Sequence, residues 1–167
     1  MNIKIIICIT LSLTACISQA QEMERKIEKN GMEVLWHQNE RSITFEMSAP
    51  TNGWVTIGFN ERNTTDKAYL LMGRIVNGKA QVVEHYTSSP GTYRPTEQLG
   101  EPSKISKVSG NESTGTTALK FTVALDQNSN FQKDLSKGST YYLIMAYSRH
   151  DDFQHHSIWR QSVKITL

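Results

Sequence analysis

The chain has 167 residues, of which 38% are hydrophobic and 20% charged. That length suits one domain with an ordinary core, and that balance excludes a chain too polar to fold. The net charge is only +2 with the signs interspersed, so no basic block offers a nucleic-acid footprint.

Residues 1–20 differ from everything after them. Lys4 precedes an apolar run over 5–13, too short to span a bilayer, which takes about 20 residues. Small residues follow, the pattern of a secretory signal. Two ends of this segment stay open. Ser18-Gln19-Ala20 places small residues just before a cut at Gln21. Leu13-Thr14-Ala15-Cys16 is similar to a bacterial lipobox, in which Cys16 is lipid-modified and heads the mature chain. Either end places the domain outside the cytoplasm: secreted, periplasmic, or lipid-anchored at the cell envelope. In the last case the membrane is met only through the lipid. Cys8 and Cys16 are the only cysteines, so the mature domain is expected to lack disulfides and thiolate sites.

Residues 21–30 are polar and read as a tether, leaving 31–167 as the folded domain. Residues 32–37 and 42–47 read as strands around a turn at Gln38-Asn39-Glu40. In the second, Ile43, Phe45 and Met47 alternate with Thr44 and Glu46. Pro50-Thr51-Asn52-Gly53 turns the chain into a strand over 54–59, with Val55, Ile57 and Phe59 on one side. Residues 68–76 are apolar almost throughout, as in a strand covered on both faces. Asn77-Gly78 turns this run tightly into 79–86. Residues 87–115 show no clear period and read as a long loop. Alternation resumes over 116–125, with Leu119, Phe121, Val123 and Leu125 inward. Residues 140–148 form an aromatic and aliphatic strand, and Trp159, Val163, Ile165 and Leu167 mark the last one. About eight short strands at hairpin spacing predict an all-β fold. The expected architecture is an antiparallel sandwich of two sheets, immunoglobulin-like, with little helix.

The histidines are His37, His85, His150, His155 and His156. Three of them fall in Arg149-His150-Asp151-Asp152-Phe153-Gln154-His155-His156. Neutral imidazole is the commonest protein ligand for iron, copper or zinc, although the same stretch also reads as a solvated loop. His155 and His156 point to opposite faces if the chain is extended there. Met47 reads as core. Met72 does too, though a thioether can complete an iron's coordination opposite a histidine. Gly-x-Ser-x-Gly, phosphate-binding Gly-rich loops and His-Glu-x-x-His are absent from the sequence. Asp151 and Asp152 are adjacent and make a poor acid–base pair. No independent catalytic constellation is expected.

Asn52-Gly53-Trp54-Val55-Thr56-Ile57-Gly58-Phe59-Asn60 resembles a signature of the DOMON domain, the module found beside dopamine β-monooxygenase and as the cytochrome of cellobiose dehydrogenase. Ala68-Tyr69-Leu70-Leu71-Met72-Gly73, Asn77-Gly78, Val82-Val83-Glu84-His85-Tyr86 and Tyr142-Leu143-Ile144-Met145-Ala146-Tyr147 follow in the family's order, and the stretch from His155-His156 to Arg160 resembles its closing histidine segment. The resemblance covers 31–167. It implies a sandwich whose sheet faces enclose a ligand, b-type haem in some members and sugar in others. In haem-binding members a methionine before the Ala strand and the late histidine hold the iron. The late histidine corresponds to His155 or His156, while the methionine position falls on Thr65, with Met72 deeper in the strand as a fallback.

The implied function is an exported ligand-binding module without its own catalysis. It carries haem b for electron transfer beside a redox or membrane-protein partner, or binds a sugar or other small ligand without haem. Trp54, Tyr69, Tyr147 and Trp159 are candidate aromatic platforms for such a ligand, and read equally as core. Strand parity puts His155 on the side of Trp159, Val163 and Ile165, and a turn at Ser157 hands that place to His156.

Overall fold

The computed structural model describes residues 24–125 and 129–167; the signal segment with Cys16, and the first residues of the expected tether, lie outside them. Among the described residues there are eleven strands. They are β1 (Arg25–Lys29), β2 (Met32–Gln38), β3 (Ser42–Ala49), β4 (Val55–Asn60), β5 (Tyr69–Val76), β6 (Lys79–Ser89), β7 (Thr92–Pro95), β8 (Ile105–Ser113), β9 (Thr116–Ala124), β10 (Thr140–Tyr147) and β11 (Trp159–Thr166). A single 3-10 turn, Thr96–Leu99, lies between β7 and β8. The strands form two antiparallel sheets, ordered β1-β2-β3-β9-β8 and β11-β10-β4-β5-β6-β7. The fold is the all-β sandwich that the alternation predicts.

The period of two explains the layers. Ile43, Phe45 and Met47 of β3 face Val55, Ile57 and Phe59 of β4 across the interior. Phe45 sits at the centre, its ring 5.6 Å from Phe59 and 5.8 Å from Phe121. Each such side chain contributes roughly 1.5–3 kcal/mol by leaving water. Side chains of both sheets meet across the interior and fill the space around Phe45.

Two stretches depart from the sequence reading. Arg25–Lys29, within the expected tether, is an edge strand that pairs with β2 along its whole length. Its charges conceal it, because only Ile27 packs against the core. Asn30 and Gly31, at φ 49° and 76°, make the tight turn into β2. The expected loop over 87–115 instead holds the end of β6, then β7 and β8. β8 is an exposed edge strand whose register shifts between Ser106 and Ser109, with Lys107 at φ 52°. That bulge erases the period that would have announced it.

Glu84 ties this region down. Buried at 2% exposure, it accepts hydrogen bonds from the Tyr69 hydroxyl, Ser103 Oγ (2.7 Å), the Lys104 backbone N–H (2.7 Å) and Gln132 Nε2 (2.8 Å). Four donors from three segments compensate the burial of one carboxylate.

β5 is covered on both faces, as its continuous apolar run implies. Tyr69, Leu71 and Ile75 face inward. Leu70 and Met72 face the other way, into a second apolar cluster with Trp54, Ala68, Ile144, Ala146 and Phe153. This outer cluster marks the site.

Candidate functional site

The pocket lies on the outer face of the six-stranded sheet. Strand register builds its floor: Met72 pairs with Thr56, Thr56 with Ala146, and Ala146 with Arg160, one straight row across four strands. Leu70, Gly58 and Ile144 form the neighbouring row. Gly58 leaves room here for the Leu70 side chain: a Cβ would lie 2.5 Å from Leu70 Cδ2 and push it aside. Thr87, Gly91 and Tyr93 wall one side, and Gln154 to Ser157 wall the other. The enclosed space is about 130 Å³.

The histidine segment is seated by the Gly53-Trp54 pair. A Cβ on Gly53 would fall 2.5 Å from both His150 N and Ser148 O, so only glycine allows the two chains to touch. The Trp54 N–H donates to His150 O and the Ser148 N–H to Trp54 O, each at 3.0 Å. Phe153 anchors the segment's far end. Its ring meets His85 edge to face at 5.5 Å and lies 4.5 Å under the Arg74 guanidinium, and its carbonyl accepts from the Tyr93 hydroxyl. His155 stacks on His150 at 4.2 Å, and its Nδ1 lies 3.2 Å from Asp152 Oδ2. Asp152 sits below the usual carboxylate range, chiefly through the Gln154 N–H it accepts. Burial pushes His85 down to about 4, so it is neutral at neutral pH.

His155, His156, Met72, Trp54 and Thr65 all line this one pocket. The chain turns between Ser148 and Trp159 rather than running extended, so strand parity does not separate the two histidines. Tyr69, Tyr147 and Trp159 face the opposite way. Tyr69 is fully buried in the interior, and Tyr147 stacks on Trp159 at 5.4 Å on the inner side. These three support the core, away from the pocket. Sequence reasoning missed Arg160, Phe153, Tyr93 and Thr87. Phe153, a lone aromatic among polar residues, was the available signal.

Trp54 Nε1 and Thr87 Oγ1 are buried without a hydrogen-bond partner among the described residues. Each such atom costs about 1–3 kcal/mol, and both belong to the pocket wall.

Iron would find suitable donors here, two imidazoles and a thioether. A porphyrin would not find room. Sites for small molecules and cofactors together run to roughly 300–1,000 Å³; this pocket lies below that range, far below what a macrocycle needs, and Phe153 and Tyr93 occupy the neighbouring space. The pocket in this packing does not fit haem. A larger hollow of about 480 Å³ lies on the other sheet, around Glu33, Glu46, Ser109 and Lys120. Its exposed Lys120–Glu46 pair, at 2.6 Å, contributes little, and none of the candidate residues reaches it. No group of three or more His, Cys, Asp or Glu among the described residues is placed to hold a metal.

The DOMON domain profile matches residues 28–148, ending before the histidine segment. No curated protein matches the chain. Among solved structures, the cytochrome b domain of pyranose dehydrogenase from Coprinopsis cinerea aligns with a TM-score of 0.65, over 84% of this chain and 80% of that one. Identity is 6%, so the likeness is one of fold.

Proposed function

Because this chain belongs to the DOMON domain family, we propose that it is an exported accessory module that binds a sugar-sized ligand in the outer-face pocket. The observation that carries this reading is the pocket's make-up. An apolar floor of Leu70, Met72, Ile144 and Ala146 is rimmed by the hydrogen-bonding groups of Gln154, His155, His156 and Arg160. Such a surface meets the C–H face of a ring below and its polar substituents above. Its small volume selects for a small molecule.

The gathering of His155, His156 and Met72 on one pocket favours a second reading, haem b held for electron transfer beside a redox partner. That reading requires the segment over 149–158 to move outward, and Thr65 stands where the family resemblance puts a methionine.

One experiment separates them. Protein purified from haem-sufficient cells is examined by visible absorption, then by thermal shift against monosaccharides and sugar acids. Ala146→Phe fills the floor, and its fold is verified by far-ultraviolet dichroism. Thr56→Leu serves as a second filling variant. The expected result is no Soret band, and a ligand-dependent rise in Tm that the filled variants lose. A Soret band abolished by His155→Ala or His156→Ala would install the haem reading instead. Equal shifts in wild type and filled variants, or no shift with any sugar, would overturn the pocket assignment.

A further inference from the structure

We propose that the ligand carries a carboxylate, and that Arg160 and the Trp54 indole N–H select it; this rests on the outer-face pocket being the binding site. The charge balance points there first. No Asp or Glu lines the pocket, and Arg160 is the only Lys or Arg that does. Arg160 stands at the end of the row Met72–Thr56–Ala146, and no acidic side chain pairs with it among the described residues. Asp152, at the rim, is already engaged with His155.

The hydrogen-bond balance agrees. Thr56 already donates its hydroxyl proton to Leu71 O, and Tyr93 donates to Phe153 O. The Trp54 indole Nε1–H, unlike the backbone N–H that donates to His150 O, is left without an acceptor, and it can only donate. Arg160 adds a guanidinium fork suited to two carboxylate oxygens. The wall therefore carries one positive charge, no carboxylate and one unpartnered donor-only group, and an anion complements it. Gln154, Ser157 and Thr87 can accept from a sugar's hydroxyls, so what distinguishes an acid from its parent sugar here is the charge of Arg160. Trp54 Nε1 is covered in the present packing, so its contact with a carboxylate requires neighbouring side chains to part. A sugar acid satisfies the floor, the charge and the donors together.

The test is calorimetric titration with D-glucuronate and D-galacturonate against D-glucose and D-galactose, on wild type, Arg160→Gln and Arg160→Lys. Arg160 is exposed, so its variants keep the fold. A charge-assisted contact of this kind predicts that wild type binds a uronate at least about tenfold tighter than its parent hexose. Arg160→Gln should erase that preference and Arg160→Lys should keep part of it. The Trp54 indole N–H resonance, assigned with Trp54→Phe, should shift with the uronate. Equal affinity for uronate and hexose, or an intact preference in Arg160→Gln, overturns the carboxylate and leaves the pocket reading standing. Binding of neither class overturns both.

Discussion

A methyl group at Gly53 would collide with the backbone of residues 148–150, which cannot swing aside as a side chain does. Gly53→Ala should therefore destabilise by roughly 3 kcal/mol, the upper range for overpacking. Urea denaturation measures this, and a variant as stable as wild type would contradict the seating role. His85 makes a second prediction at this scale. Its ring is buried and its pKa falls from 6.5 to about 4, so the unfolded chain binds the proton more readily. The stability it confers is complete above pH 6.5 and is lost as pH falls from 6.5 toward 4. The loss reaches up to about 3 kcal/mol. The urea midpoint should drop between pH 7 and pH 4.5 by more in wild type than in His85→Gln; equal drops would contradict the assignment. The burial of neither Glu84 nor His85 was visible in Val82-Val83-Glu84-His85-Tyr86. Alternation sends Glu84 inward and His85 outward, and only the neighbouring segments show that both are buried.

At the scale of elements, what could be read in advance followed burial. β3, β4 and β9 bury one face or both, so their periods were plain. The double burial of β5 was legible in its unbroken apolar run, and that second face proved to be the pocket floor. β1 and β8 were not legible because they are edge strands, one dressed in charges and the other broken by a bulge. The segment over 149–158 was legible as histidine-rich but not as seated, since its contacts come from Gly53, Tyr93 and Arg74, far away in sequence. Phe153 is its single apolar anchor. Phe153→Ala should cost about 2–4 kcal/mol, near the lower range for buried aromatics. It should also raise amide hydrogen exchange over 150–157 while leaving β4 and β10 protected. Unchanged exchange in that segment would show that it is held by something else.

For the whole molecule, one sandwich serves two ends: its interior supplies stability and its outer sheet face carries the pocket proposed as the site. The family resemblance drawn from Gly53-Trp54 to Gly58-Phe59 was legible because those glycines are demanded by close approach. The pocket's place was not, since the family resemblance directs attention between the sheets and this pocket lies on the outer face of one of them. Export belongs to this scale. Mass spectrometry of the native protein should find a mature chain beginning at lipidated Cys16 or at Gln21, and an intact Met1 would contradict export. The proposed ligand sits on the outer face of the six-stranded sheet. Amide and indole chemical-shift mapping with saturating D-glucuronate tests it most directly. The account predicts perturbations confined to Trp54 and Thr56, Leu70 and Met72, Thr87 to Tyr93, Ile144 and Ala146, and Gln154 to Arg160. Perturbations centred instead on Glu33, Glu46 and Lys120, or none at all, would contradict it.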